Sequence, residues 1–288
     1  MHSSSTRTFT AVIPADLDLP LVLDSPHSGF LFPDDFRPAA SMEVIRTGWD
    51  GHLEDLWGHA TALGATLIAA KVSRGYIDLN RAAEDIDEAL LDAPWPGPCH
   101  PSDSCRRGMG LVRRLALPDV PMYTRMLTVA EVEARLRDYY LPYRAILQQV
   151  IEALAARHGR VWHLDLHSMK SRGNTMNLDA GQARPDLVIS DRMGSTSHPA
   201  VTRWIAEQFR QLGYRANIND PYQGGDIVHA YGEPLRQRNS IQIEINRRLY
   251  MDETTCEKSA GYAVLKRDID RFLEGFAEKI RHSPADFS

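Results

Sequence analysis

The stretch Leu19-Pro20-Leu21-Val22-Leu23-Asp24-Ser25-Pro26-His27-Ser28-Gly29 sets the frame for the chain. Its apolar opening, LPLVL, is short and breaks off at Asp24, which reads as a buried strand running into a polar turn. The same grammar recurs downstream. Ala65 to Ala70 (ATLIAA), Val161 to Leu166, Asp186 to Ser190 (DLVIS) and Tyr214 to Ile218 are further strand candidates. Between them lie segments of helical periodicity. A helix is expected from Glu43 to Leu63, with Leu53, Leu56 and Trp57 on one face and Gly64 as its stop. Others are expected over Val129 to Arg157, Ser197 to Leu212 and Cys256 to Ile280. Strands alternating with helices point to an α/β fold.

Ile241 to Asn246 (IQIEIN) alternates cleanly, with Ile241, Ile243 and Ile245 facing one way and Gln242, Glu244 and Asn246 the other. Residues 82–120 behave differently. Pro94, Pro96, Gly97, Pro98 and Pro101 forbid a long regular element there. The expectation is one domain over residues 1–288 with a long irregular insertion at about 82–120. Loops of that length are usually functional or disordered.

The chain has 288 residues, 43% hydrophobic and 25% charged, with a formal net charge of −5. That is ordinary globular usage and excludes disordered, collagen-like and disulfide-scaffold classes. No long basic run appears, so nucleic acid is not an expected partner. Cys99, Cys105 and Cys256 are too few and too scattered for a thiolate zinc cluster, and reduced thiols are expected. The opening residues MHSSSTRTFT have no apolar core of a secretory signal, and no run approaches the ~20 apolar residues of a membrane span. A soluble, cytoplasmic protein is expected. The oligomeric state is left open.

Two segments place histidine just past a strand, where ligands bind in open α/β sheets. One is Ser25-Pro26-His27-Ser28-Gly29, in which Gly29 permits a close backbone turn. The other is Asp165-Leu166-His167-Ser168, in which alternation puts Asp165 and His167 on one side. One of that pair can bind a metal while the other supports it, because ligating imidazoles usually donate their second N–H to a carboxylate. Two such histidines can supply two of the three protein ligands of an open catalytic zinc site.

No H-E-x-x-H is present, and Phe30 stands three residues after His27. Acidic candidates for a third ligand lie in Trp49-Asp50-Gly51-His52-Leu53-Glu54-Asp55, where Asp50 and Glu54 would share a helical face. Glu244, in an alternating strand, suits a general base beside an activated water. Arg74 and the run Asp78-Leu79-Asn80-Arg81 offer a guanidinium fork and an amide for an anionic substrate. No G-x-S-x-G, Walker or G-x-G-x-x-G motif occurs. His59, His100, His158, His198 and His282 have no evident partner and read as surface or packing residues.

In this order the segments SPHSG at 25–29, WDGHLEDLW at 49–57, SRGYIDLNR at 73–81, DLHSM at 165–169, GGDIVHAYG at 224–232 and IQIEINRRLYMDE at 241–253 resemble the N-formylglutamate amidohydrolase (deformylase) family. The resemblance spans about residues 20–255. It implies a three-layer α/β/α sandwich around a mixed sheet, related to the zinc carboxypeptidases and aspartoacylase-type deacylases in the phosphorylase/hydrolase-like group. It also implies that His27 and His167 are metal ligands with Asp165 in support, that Asp50 supplies the carboxylate with Glu54 as the fallback, and that Glu244 is the base. Asn80 and Arg81 would hold one substrate carboxylate, and Arg74, Arg184 or Arg192 the other. The implied cofactor is Zn²⁺, or Fe²⁺, Co²⁺ or Mn²⁺. The implied partner is a small anionic N-acyl amino acid, N-formyl-L-glutamate first. Two other readings stay compatible with the same residues: a related metal-dependent deacylase or carboxypeptidase-like enzyme, and a non-catalytic protein that binds an acidic amino acid.

Overall fold

A computed structural model describes residues 2–283. Eight strands form one mixed sheet: β1 (His2–Ser5), β2 (Phe9–Ile13), β3 (Leu21–Ser25), β4 (Thr66–Ala70), β7 (Val161–Met169), β8 (Leu187–Ser190), β9 (Ala216–Ile218) and β10 (Arg238–Asn246). A small separate hairpin pairs β5 (Leu115–Leu117) with β6 (Val120–Pro121). The sheet order is β1-β2-β4-β3-β7-β10-β8-β9. Strands β4, β3, β7 and β10 run parallel at its centre. Antiparallel pairing adds β2 on one side and β8 on the other. The helices are α1 (Met42–Arg46), α2 (Leu53–Leu56), α3 (Asp103–Arg106), α4 (Val129–Arg135), α5 (Leu141–His158), α6 (Pro199–Gln211), α7 (Asp226–Tyr231) and α8 (Tyr262–His282).

Both sheet faces are covered, as parallel strands require. On one face Leu21, Leu23, Trp162, Leu164, Leu166, Ile241, Ile243 and Ile245 pack with α2, α6 and α8 through Leu56, Ile205, Phe209, Leu265 and Phe272. On the other, Phe9, Ala11, Val22, Ile68 and Ala70 pack with Val132, Tyr143, Leu147 and Ile151 of α4 and α5. The result is the α/β fold that the alternation of elements implied, arranged as the α/β/α sandwich that the resemblance implied. Ile86, Leu90, Leu91, Leu111 and Val112 anchor the irregular 82–120 segment in this second layer.

Two expected helices are interrupted. The Glu43–Leu63 helix stops after Arg46 and restarts at Leu53, so Asp50 and Glu54 do not share a helical face. His52 has φ +65, outside the right-handed helical region, and the Asp50 N–H bonds the His27 carbonyl at 3.2 Å. Tertiary contacts at Asp50 override the local periodicity. The long Val129–Arg157 helix holds a wider turn at Leu136–Tyr140, where the Leu141 N–H reaches back five residues to Leu136 O. Pro142 has no N–H for the Asp138 carbonyl, and the Thr8 hydroxyl donates to that carbonyl at 3.1 Å.

Other differences are smaller. β7 runs to Met169, so Asp165 and His167 sit within the strand. The last helix starts at Tyr262 because Cys256, at φ +60, and Gly261 lie in the approach to it. Strands β1 and β2 extend the sheet beyond the strands expected from sequence. Cys99, Cys105 and Cys256 are free thiols. No helix among the described residues is long and apolar enough to cross a membrane.

Candidate metal centre and its cavity

The register of the central strands assembles the site. Asp24 of β3 is paired with Asp165 of β7, Asp165 with Gln242 of β10, and His167 with Glu244. The pleat puts these side chains on one face, opposite the isoleucines. His27 follows β3 directly, and Asp78 lies in the turn after β4, whose N–H bonds tie it to Leu111. All therefore meet at the carboxyl ends of the parallel strands. The SPHSG turn fits there only because residue 29 is glycine: a Cβ would lie 2.3 Å from the Lys71 carbonyl carbon.

His27, Asp50 and His167 each turn one ligand atom inward, and these atoms lie within 4.8 Å of one another. Asp50 Oδ2 is 3.2 Å from His167 Nδ1 and 3.6 Å from His27 Nδ1. The His27 Nδ1 is buried without a hydrogen-bond partner. Its other nitrogen, Nε2, meets Asp78 Oδ1 at 2.6 Å. The Nε2 of His167 lies 2.8 Å from Asp165 Oδ1 and 2.8 Å from the Asn80 amide nitrogen. An imidazole with its Nε2 proton on a carboxylate presents a lone pair at Nδ1, which is how a ligating histidine is oriented. Two imidazoles and one carboxylate are a donor set that could hold a divalent metal ion.

The charges around this group are arranged to hold it. Burial, and then the nearby Arg74 cation, push the His27 imidazole below its ordinary range, which favours the neutral form a metal needs. Burial opposes ionisation of Asp50, but the close His167 and His27 imidazoles and the Arg247 charge hold it well below the usual carboxylate range. Arg247 Nη2 donates to Asp50 Oδ1 at 2.7 Å, and the Ser168 N–H to Oδ2 at 3.2 Å. Burial likewise disfavours a charged His167, yet Asp165, Asp50 and Glu244 overcome it and raise the imidazole well above its ordinary range. Burial, with repulsion from Asp50, lifts Glu244 to about 6 against the opposing charges of His167, Arg74 and Arg184. Gln242 steadies Glu244 by donating to Oε1 at 3.0 Å.

Beside the group lies a cavity of about 410 Å³, lined by His27, His167, Glu244, Gln242 and the arginines Arg74, Arg81, Arg107 and Arg113, among others. The sequence-expected residues His27, Asp50, His167, Asp165, Asn80, Arg81, Arg74 and Glu244 thus converge. Glu54 does not join the ligand group: it lies with Ser28, and burial raises its carboxyl. Asn80 is used internally. Its amide nitrogen faces Asp165 and His167 and its oxygen accepts the Ile227 N–H at 2.8 Å, while the residue also lines the cavity. Arg184 is locked to Asp179 through two nitrogens at 2.6 and 2.8 Å, and Arg192 is turned to the Gly224 carbonyl, so neither lines the cavity.

Sequence reading gave no role to Asp78, Arg113, Arg247 or His163. Asp78 carried a signal, since an aspartate two residues before Asn80 can accept its N–H, and Asp78 Oδ1 does so at 3.1 Å. His163 shares the face of Asp165 and His167 by alternation and bridges Asp24 and Ser240 at 2.7 Å each. Arg113 arrives from the irregular 82–120 segment with no pattern to mark it, and Arg247 from the 241–253 segment, just past the alternating strand. Of the histidines read as packing or surface residues, His158 bonds the Leu17 carbonyl and His198 caps α6.

The family model for N-formylglutamate amidohydrolase matches residues 19–251. The chain belongs to that family. Among curated relatives, it is 29% identical over 241 residues to an N-formylglutamate deformylase of Pseudomonas aeruginosa and 27% identical over 242 residues to one of Pseudomonas putida. Each alignment covers 82% of this chain and 83% of the relative. A crystal structure of an N-formylglutamate amidohydrolase from Ralstonia eutropha JMP134 superposes with a TM-score of 0.92 at 41% identity, covering 96% of this chain and 99% of that one. The matched region of the N-formylglutamate amidohydrolase family contains every residue of the His27–Asp50–His167 group and Glu244.

Proposed function

We propose that this protein is a metal-dependent hydrolase that cleaves N-formyl-L-glutamate to formate and L-glutamate. The observation that carries the reading is the His27–Asp50–His167 group, with its buried, unpartnered His27 Nδ1, beside Glu244 in a chain of this family. His27 Nδ1, His167 Nδ1 and an Asp50 oxygen would hold the ion, and two imidazoles with one carboxylate suit Zn²⁺, while Fe²⁺, Co²⁺ and Mn²⁺ accept the same donors. A divalent ion in such a site lowers the pKa of water and polarises a carbonyl.

The protein groups divide the remaining work. Glu244 takes a proton from the attacking water and delivers it to the leaving nitrogen as the C–N bond breaks. A carboxyl lifted to about 6 ionises at neutral pH yet returns a proton readily. Asp78 and Asp165 orient the two imidazoles, and Arg247 holds Asp50. Asn80 acts as a positioning residue between Asp165, His167 and α7. Arg81 donates from Nε to the Met109 carbonyl at 3.0 Å, and its terminal nitrogens serve a substrate carboxylate. Arg74, held by Asp78 at 2.8 Å, contributes positive charge to the same wall.

A substrate panel tests this. Formyl-glutamate should be hydrolysed faster than N-acetyl-L-glutamate and than peptides ending in glutamate. A preference for acetyl or peptide substrates would favour the related deacylase reading.

A further inference from the structure

Four arginines line the cavity, and three of them are engaged by the protein. Arg74 Nη2 donates to Asp78 Oδ2 at 2.8 Å, Arg81 Nε to Met109 O at 3.0 Å, and Arg107 Nε to Met176 O at 2.9 Å. Arg113 differs. Its guanidinium makes no hydrogen bond among the described residues, and its Nε is buried and unpartnered. The side chain is only 12% exposed, and the nearest carboxylate oxygen, Asp78 Oδ2 at 4.0 Å, already accepts from Arg74. A buried guanidinium nitrogen without a partner is unfavourable for folding alone.

The backbone holds Arg113 in that place. Leu111 and Val112 are buried in the layer of α4 and α5. The Asp78 N–H donates to Leu111 O at 2.8 Å and the Leu111 N–H to Asp85 O at 2.9 Å, which straps the segment to the turn that carries Asp78 and Asn80. The irregular 82–120 segment is thus the element that brings a fixed, unsatisfied fork to the cavity wall. Burial and repulsion from Arg74 push Arg113 down to about 9, so it is still a cation at neutral pH and has strong reason to gain an anion. A planar carboxylate matches a guanidinium fork through two parallel hydrogen bonds.

We infer that Arg113 binds one carboxylate of the substrate and is the residue that makes the site selective for a dicarboxylic N-acyl amino acid. This rests on the hydrolase reading of the site. The hydrogen-bonding capacity left unused in the free protein is used when the substrate enters, so the binding energy is directed at an acidic substrate.

The test uses the metal-loaded wild type, Arg113→Gln and Arg113→Lys with three substrates: N-formyl-L-glutamate, N-formyl-L-glutamine and N-formyl-L-isoglutamine. For Arg113→Gln, kcat/KM on N-formyl-L-glutamate should fall roughly 10- to 100-fold, mostly through KM, as expected for a lost charged hydrogen bond. The loss should nearly vanish for whichever amide analogue lacks the contacted carboxylate, and Arg113→Lys should be intermediate on the diacid. Because Arg113 makes no hydrogen bond among the described residues and only a 4.0 Å ion pair in the free protein, the Tm of the Gln variant should not drop. Equal losses on all three substrates, no loss on the diacid, or a lowered Tm would overturn the assignment. Calorimetric titration with the same three ligands separates the two claims. Diacid binding that is lost in Arg113→Gln, in a protein without turnover, would keep the anion role and sink the hydrolase reading; no binding by wild type would sink both.

Discussion

Glu244 and His167 are register partners on adjacent parallel strands, β10 and β7, and the pleat turns both to the cavity side of the sheet. Neighbouring parallel strands lie about 4.8 Å apart, so a carboxylate and an imidazole in this register are held side by side by the sheet itself rather than by a loop. The proposed general base and a metal-ligand candidate therefore share one rigid frame.

Replacing Glu244 with Gln keeps the shape and the hydrogen bond from Gln242 but removes the proton acceptor. Formate release is expected to fall by roughly 10²-fold or more in kcat. Steady-state kinetics at pH 7–8 checks this, and near wild-type turnover would remove Glu244 from the base role.

The same residue should destabilise the metal-free fold. Its carboxyl is lifted from 4.5 to about 6, so the folded state binds the proton more tightly than the unfolded state. Below pH 4.5 both states are protonated and the residue is neutral to stability. As pH rises through 4.5 to 6 the folded state loses about 2 kcal/mol, and the loss persists above that range. Glu244→Gln should thus raise the unfolding free energy of metal-free protein at pH 8 by up to about that amount, and by little at pH 4.5. Denaturant titrations at the two pH values would show it, and a destabilised Gln variant at pH 8 would contradict the burial argument.

Asp78 holds the Nε2 of His27 at 2.6 Å and cannot be replaced by a neutral amide without weakening that orientation. Asp78→Asn is expected to reduce Zn²⁺ affinity roughly 10- to 100-fold in competition with a chelator of known affinity. Unchanged affinity would mean that His27 is oriented without it.

Gly225 precedes α7 and presses on Asn80, with a Cβ at that position falling 2.5 Å from the Asn80 amide nitrogen. Asn80 is pinned against His167, Asp165 and Ile227 and has nowhere to retreat. Gly225→Ala is expected to lower kcat by about 10²-fold, the scale of a 1 Å misplacement near a reacting centre. Gly58→Ala, where the added methyl meets nothing within 4 Å, should be near neutral. Similar effects from the two would show that the Asn80 contact is unimportant.

The parallel core and the two histidines were legible in sequence because each rests on a local signal: a short apolar run, a period of two, a polar turn at its end. The break at Asp50 was not legible, because it is imposed by His27 O, Ser168 N and Arg247, residues 23 to 197 positions away in the chain. The same holds for Arg113, whose missing hydrogen bonds are visible only once the cavity is built. Asn80 carries more than its motif suggested: it lines the cavity, and it also bridges Asp165, His167 and the Ile227 N–H.

The most direct measurement is formate release from N-formyl-L-glutamate by chelator-stripped protein, before and after Zn²⁺ is restored. Release is expected only after the metal returns. Full activity in the stripped protein, or silence from folded protein with every divalent ion, would contradict a metal-dependent deformylase built on His27, Asp50 and His167.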